Sequence, residues 1–226
     1  MKTGPERQAV DFQKQRRTMV DTQLRVNDVT SPELVAAFLS VPRERFVPKS
    51  MRALAYSEVE VETAPGRALW TPRDLGKLLR ALGTRPDDVA LVIGAGTGYS
   101  AAIIGQNADA VIALEDDEDA VAAMSDRFAE IRLDQAVAVQ GSLADGLPDQ
   151  GPFSLILVCG MVETVPQAWL DQLAEGGRLG VVVRVGRDLG QAKVYIRAGD
   201  AVSSRDVFEC CPPVLPGFEK TTGFVF

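Results

Sequence analysis

The sequence predicts an α/β fold: a doubly wound, mostly parallel sheet preceded by a helical N-terminal extension. Three observations carry that expectation. Short runs that are apolar at nearly every position recur along the chain, as strands buried on both faces require. Amphipathic helical stretches separate the earlier runs, and such strand–helix alternation is the pattern of a sheet covered on both sides. Directly after the first of these runs comes a glycine loop, Ile93-Gly94-Ala95-Gly96-Thr97-Gly98-Tyr99, that opens a helix.

In chain order, residues 8–24 are polar, with Val10, Phe12, Met19, Val20 and Leu24 at helical spacing. Thr30-Ser31-Pro32-Glu33 gives an N-cap signal with proline in the first turn. Leu34, Val35, Phe38 and Leu39 then form one apolar face, which Pro42 closes. The segment through about Ala55 therefore reads as helical. Residues 66–72 read as a loop opened by Pro65-Gly66. Pro72-Arg73-Asp74 starts a helix that carries Leu75, Leu78, Leu79 and Leu82 on one face and stops at Gly83. Apolar runs follow at 89–93, 111–114, 136–139, 153–158, 179–183 and 194–196, with a last short one at 224–226. Helices are expected at 99–106, 118–131 and 166–173. The chain, 1–226, reads as one domain, with the extension at 1–55 and the α/β core at 66–226.

Composition narrows the chemistry. Of 226 residues, 46% are apolar and 24% charged, which excludes disorder and collagen-like structure. A net charge of −7 gives no overall field to attract phosphate backbones, so nucleic acid is not expected as a partner. There is no histidine, which removes any Ser-His-Asp triad, any HExxH zinc site and any imidazole base. Cys159 sits in an apolar run and reads as a small buried hydrophobe, while Cys210 and Cys211 are neighbours. No CxxC spacing occurs, and no metal site is expected. The polar N-terminus lacks the apolar core of a signal peptide, and no stretch approaches the ~18 apolar residues of a membrane span. The expected location is cytoplasmic.

The glycine loop is the sharpest motif. Its glycines allow a tight turn and let a ligand approach without a β-carbon in the way, and the helix beyond offers free N–H groups. A dinucleotide fingerprint would need a third glycine at position 99, which is Tyr99. The spacing present, GxGxG, is the usual form in S-adenosylmethionine-binding domains. Glu115 ends the next strand, where a carboxylate can accept hydrogen bonds from ribose hydroxyls. A tight turn with a solvated acid is the bland alternative, since Asp116, Asp117, Glu118 and Asp119 also suit the start of a helix.

Several multi-residue motifs, in order, resemble the protein-L-isoaspartate O-methyltransferases. They are Met19-Val20-Asp21-Thr22-Gln23-Leu24-Arg25, Val41-Pro42-Arg43-Glu44-Arg45-Phe46-Val47-Pro48 with Ala55-Tyr56, and the glycine loop. Pro152-Phe153, Gln172-Leu173 and Gly176-Gly177-Arg178-Leu179 continue the likeness along the sheet. The resemblance implies a Rossmann-like S-adenosylmethionine methyltransferase fold and carboxyl methylation of isoaspartyl residues in peptides or proteins, a step of protein repair. It implies cofactor binding by Gly94, Ala95, Gly96, Thr97, Gly98, Tyr99, Glu115, Asp116, Ser142 and Leu143. A carboxylate acceptor is already ionised at neutral pH, so the absence of histidine suits this chemistry.

Three positions depart from the family's pattern. The substrate loop, Gly-Gln-Thr-Ile-Ser-x-Pro in the family, here reads Gly66-Arg67-Ala68-Leu69-Trp70-Thr71-Pro72, so Ala68 and Trp70 replace two hydroxyls. The acid before the glycine loop is Val92, and the Asp that faces the adenine is Ser142. Arg67 and Thr71 are the expected anion-binding substitutes, and Trp70 is expected to pack against the cofactor cleft and occupy acceptor space. The site residues expected in this loop are thus Arg67, Trp70 and Thr71. Two alternatives stay open: a divergent homologue that binds the cofactor in a non-catalytic or regulatory role, and a methyltransferase with another acceptor.

Overall fold

A computed structural model describes residues 11–187 and 189–219. The N-terminal extension is helical because polar caps and apolar spacing agree there. Helix α1 (Phe12–Met19) is capped by Asp11, whose carboxylate accepts from Lys14 N at 3.0 Å. It continues through a π turn, Val20–Leu24, and a 3₁₀ turn, Arg25–Asn27, where Asp28 at φ 62° stops it. Helix α2 (Pro32–Ser40) carries its proline in the first turn. Two 3₁₀ turns, Arg43–Arg45 and Lys49–Leu54, complete the extension. The expected start at residue 8 lies outside the described residues.

The segment after the extension corrects one expectation. Residues 66–72 are not simply a loop: β1 (Val61–Ala64) and β2 (Arg67–Leu69) form an antiparallel hairpin that turns at Gly66, whose φ is +70°. Helix α3 (Pro72–Leu82) then begins on Thr71, whose hydroxyl accepts from Asp74 N at 3.1 Å, and ends at Gly83 in the left-handed region.

The main sheet has seven strands: β3 (Val89–Ile93), β4 (Ala110–Glu115), β5 (Ala136–Gln140), β6 (Phe153–Val162), β7 (Leu173–Arg184), β8 (Gly190–Ala198) and β9 (Ala201–Cys210). Their spatial order is β5-β4-β3-β6-β7-β8-β9. The first five are parallel, and β8 and β9 add on as antiparallel ribbons. Helices α4 (Tyr99–Ile104), α5 (Glu118–Ile131) and α6 (Gln167–Asp171) lie in the connections. Ala90 and Val92 join the apolar cluster on one face of the sheet, and Leu91 and Ile93 join the other. This alternation within a continuous apolar run is what burial on both faces demands. The chain winds from β3 to one side and returns to place β6 on the other. The crevice beyond the C-terminal ends of β3, β4 and β6 is therefore the topological switch point, where ligands of such sheets bind.

Three elements differ from the pattern read in the sequence. Strand β9 has no counterpart among the expected strands, because its residues are mostly exposed and contain no continuous apolar run. Helix α6 is shorter than the 166–173 stretch, since Leu173 already pairs with Phe153 in the sheet. Helix α4 ends two residues before its expected limit. The run at 224–226 lies outside the described residues.

At the opposite end of the sheet a buried ion pair ties four segments together. Arg178 donates to both oxygens of Asp88 at 2.8 and 2.9 Å, and to the carbonyls of Leu82, Gly83 and Ser154. Ser154 Oγ and Arg85 N complete the shell around Asp88. Burial pushes the Asp88 carboxyl up, but the hydrogen bonds from Arg178, Ser154 and Arg85 N outweigh it and hold the group below its ordinary value. Its stabilising contribution is therefore present above the unfolded-state value and lost as pH falls through the depressed one. Asp88→Asn leaves the Arg178 cation buried and unpaired and is expected to lower stability by about 3–5 kcal/mol at pH 7. Chemical denaturation at pH 7 and pH 3 checks this, with the gap between variant and wild type shrinking at the lower pH.

Candidate functional site

At the switch point the glycine loop folds back under the end of β4. Gly94, Gly96 and Gly98 have φ of +65°, +59° and +89°, conformations that only glycine adopts without strain. A β-carbon on Gly98 would lie 2.8 Å from Met124 and Phe128 of α5, so this glycine also sets how closely the loop packs on that helix. Gly94 N and Ala95 N both donate to Leu114 O, which anchors the loop to β4.

Glu115 is the next residue, and it is 2% exposed. Its Oε1 accepts from Gly96 N at 2.5 Å. Its Oε2 accepts from Arg67 Nη2 at 2.9 Å and from Asp116 N at 3.3 Å. Burial pushes the Glu115 carboxyl above its ordinary value, against the pull of Arg67 and Gly96 N. Arg67 also reaches Asp116 Oδ1 at 3.2 Å, so one guanidinium edge is shared between two carboxylates.

Two cavities meet at Arg67. The larger, about 360 Å³, lies between the glycine loop and the start of α5. Its walls include Arg67, Gly96, Thr97, Glu115, Asp116 and Arg127, and its size suits a small-molecule ligand. The smaller, about 20 Å³, lies over the loop against Trp70, Gly94, Thr97, Tyr99 and Cys159. Trp70 is 5% exposed. Burial pushes the Cys159 thiol up to about 12, so it is an inert wall rather than a nucleophile.

The structure thus brings Gly94, Ala95, Gly96, Thr97, Tyr99, Glu115, Asp116, Arg67 and Trp70 around these two spaces, with Gly98 setting the loop's packing on α5. It does not bring the others. Thr71, expected as an anion ligand, caps α3 through its hydroxyl and lines neither cavity. Ser142 accepts from Asp145 N at 3.3 Å and closes a local turn, while Leu143 is buried and its carbonyl takes Trp169 Nε1 at 2.7 Å. Neither lines the two cavities.

One neighbour of the site, Arg43, lies in a family-like motif whose sequence carries no sign of its part here. Arg43 is fully buried. It donates to Ala55 O at 2.7 Å and Trp70 O at 2.5 Å, and lies 4.8 Å from the Tyr99 ring centroid. It holds the Trp70 backbone where the indole closes over the loop. Arg127 is likewise invisible to sequence pattern, because it joins the wall only through the packing of α5.

A glycine loop and a buried carboxylate at the switch point of this sheet place the chain among the Rossmann-like α/β folds. The chain belongs to the protein-L-isoaspartate(D-aspartate) O-methyltransferase family, whose model matches residues 14–211. A Koribacter versatilis protein-L-isoaspartate O-methyltransferase is 33% identical over 186 residues, covering 82% of this chain and 83% of the relative. One from Roseiflexus castenholzii is 31% identical, with 94% and 97% covered. A Plasmodium falciparum protein solved in complex with S-adenosyl-L-homocysteine superposes with a TM-score of 0.75 at 17% identity, covering 92% of this chain and 99% of that one. At that identity it shows the common fold.

Arg67→Leu would leave Glu115 buried without its cation and is expected to destabilise the fold by about 3 kcal/mol at pH 8. A buried acid whose folded value is raised contributes stability below its unfolded value and loses it as pH rises. The deficit of the variant should therefore shrink as pH falls toward 5, where Glu115 can take up a proton. Urea unfolding at the two pH values measures it.

Proposed function

We propose that this chain is a carboxyl O-methyltransferase that takes its methyl group from S-adenosylmethionine and places it on the α-carboxylate of isoaspartyl residues in peptides or proteins. The observation that carries this reading is Glu115, held by Gly96 N at the mouth of a nucleoside-sized cavity. The chain's own groups fit the cofactor. A β-carbon on Gly96 would meet only the Gly94 carbonyl, at 4.0 Å, so ligand atoms can approach this backbone closely. Glu115 is an acceptor pair suited to two ribose hydroxyls, and the main chain of Gly94–Gly98 would hold the remainder.

S-adenosylmethionine supplies an electrophilic methyl on a sulfonium. The acceptor carboxylate is ionised at neutral pH, so no protein base is needed, in keeping with a chain that has no histidine. What remains for the protein is alignment and exclusion of water. Trp70 and Tyr99 supply the closed side of the site, backed by the buried Arg43, and Arg67 brings charge to its lining. One domain performs both tasks in this reading, with the helical extension contributing Arg43 behind Trp70.

A second reading is favoured by one contact. Arg67 sits on the Glu115 oxygen that a ribose would use, and Trp70 is buried beside the loop, as in a homologue that binds the cofactor without turning over isoaspartyl peptides or that serves another acceptor. Transfer of labelled methyl to an isoaspartyl peptide and its aspartyl isomer separates the two. The proposed function expects label in the first peptide only. Glu115→Gln should weaken S-adenosylhomocysteine binding by about 1–3 kcal/mol in calorimetry, through loss of a charge-assisted contact. A folded wild type that fails to bind at millimolar ligand contradicts the proposal.

A further inference from the structure

Buried polar side-chain atoms nearly always find partners, so a cluster of exceptions marks a place built for something else. Among the described residues, the buried side-chain atoms without a partner include Arg67 Nη1, Trp70 Nε1, Thr97 Oγ1, Tyr99 OH and Arg43 Nη1. The first four belong to residues that wall the small cavity over the glycine loop. The fifth belongs to the guanidinium that holds Trp70 O and stacks on Tyr99. Trp70 and Tyr99 are more than nine-tenths buried, and Arg43 completely so.

The chemistry of this set is one-sided. A guanidinium and an indole N–H donate and never accept, and the two hydroxyls can donate as well. Arg67 is fixed on its other edge by Glu115 and Asp116, so Nη1 is presented by an oriented fork. Arg43 donates to the carbonyls of Ala55 and Trp70 and interacts with the Tyr99 side chain, and among the described residues it makes no ion pair with an acid. Donors without acceptors beside a buried cation suit a carboxylate. The cavity, about 20 Å³, has room for a water-sized group, on the scale of a carboxylate oxygen. Arg67 and Ala68 also line an open groove of about 420 Å³ together with Glu60, Glu62 and Pro213, so the cavity and the groove share a wall.

We propose that Trp70 Nε1, Arg67 Nη1 and the hydroxyls of Thr97 and Tyr99 form the subsite that receives the acceptor's carboxylate, with Trp70 a specificity-determining donor. The proposal rests on the methyl-transfer reading above and changes the meaning of Trp70 within it: the indole is a working part of the site and not a plug.

The test uses Trp70→Phe, which keeps an aromatic ring and removes the N–H, and Tyr99→Phe as a second variant should the first fold poorly. An isoaspartyl peptide and its α-methyl ester are titrated with and without S-adenosylhomocysteine, and KM and kcat are measured alongside. Wild type should prefer the carboxylate peptide to the ester. Either variant should lose most of that preference and raise the peptide KM about tenfold, as loss of one hydrogen bond to a charged acceptor implies. In Trp70→Phe, nucleoside affinity and thermal midpoint should stay near wild type. Unchanged peptide KM in both folded variants overturns the proposal. So does a selective loss of nucleoside affinity, which would assign the carboxylate to the cofactor's amino-acid end. Faster transfer by Ala68→Thr plus Trp70→Ser at lower KM would make Trp70 a plug after all. Titration without the nucleoside separates failure of the subsite from failure of methyl transfer. A chain that binds no S-adenosylhomocysteine yet prefers the carboxylate peptide through Trp70 retains the subsite and loses the methyl-transfer reading, and a wild type with no preference loses the subsite.

Discussion

The site is organised by one demand: a carboxylate almost wholly out of water at the end of β4 must be given partners. A buried charge left unpaired costs several kcal/mol, which is a large share of the stability of a domain this size. Glu115 meets the demand from three directions, with Gly96 N on one oxygen and Arg67 and Asp116 N on the other. Each partner imposes something on the fold. The glycine loop must bend back far enough to aim Gly96 N at β4, which the positive φ of Gly94, Gly96 and Gly98 permits. The β1–β2 hairpin must lie across the switch point to deliver Arg67 from outside the main sheet. Close packing at Gly98 then holds α5 and its Asp117 cap beside the carboxylate.

This arrangement also explains why the substrate loop differs from the family's pattern without dismantling the cleft. Ala68 and Trp70 remove two hydroxyls, yet the same hairpin brings in a guanidinium and an indole N–H. Arg43 secures the Trp70 main chain from behind, so the change of side chain is carried on an anchored backbone. The chain keeps a polar, donor-rich lining while exchanging the residues that provide it.

Sequence pattern reaches the parts of the structure that local forces decide. Strand β3 and helix α5 fall where the apolar run and the helical spacing put them, because their burial is written into consecutive residues. The glycine loop and Glu115 are legible for the same reason, being close in sequence and joined by one strand–helix–strand unit. The hairpin reads as a loop because a three-residue strand has too few residues to show a period, and β9 escapes notice because an exposed edge strand has no apolar run to show. Arg67 is recognisable as an anion-binding candidate, but its engagement with Glu115 spans 48 residues of sequence and exists only in the folded chain. Thr71 and Ser142 look like ligand groups from their place in the motifs, and that place does not reveal that each hydroxyl accepts from a nearby backbone N–H.

In the proposed reading, Glu115 is the acceptor for Arg67 in the free chain and for the nucleoside in the complex. A crystal structure with S-adenosylhomocysteine bound tests this most directly. The ribose hydroxyls are expected on the Glu115 oxygens, with Gly96 N still on Oε1 and Arg67 Nη2 moved off Oε2. A nucleoside bound elsewhere, with the Arg67–Glu115 pair intact, would contradict it.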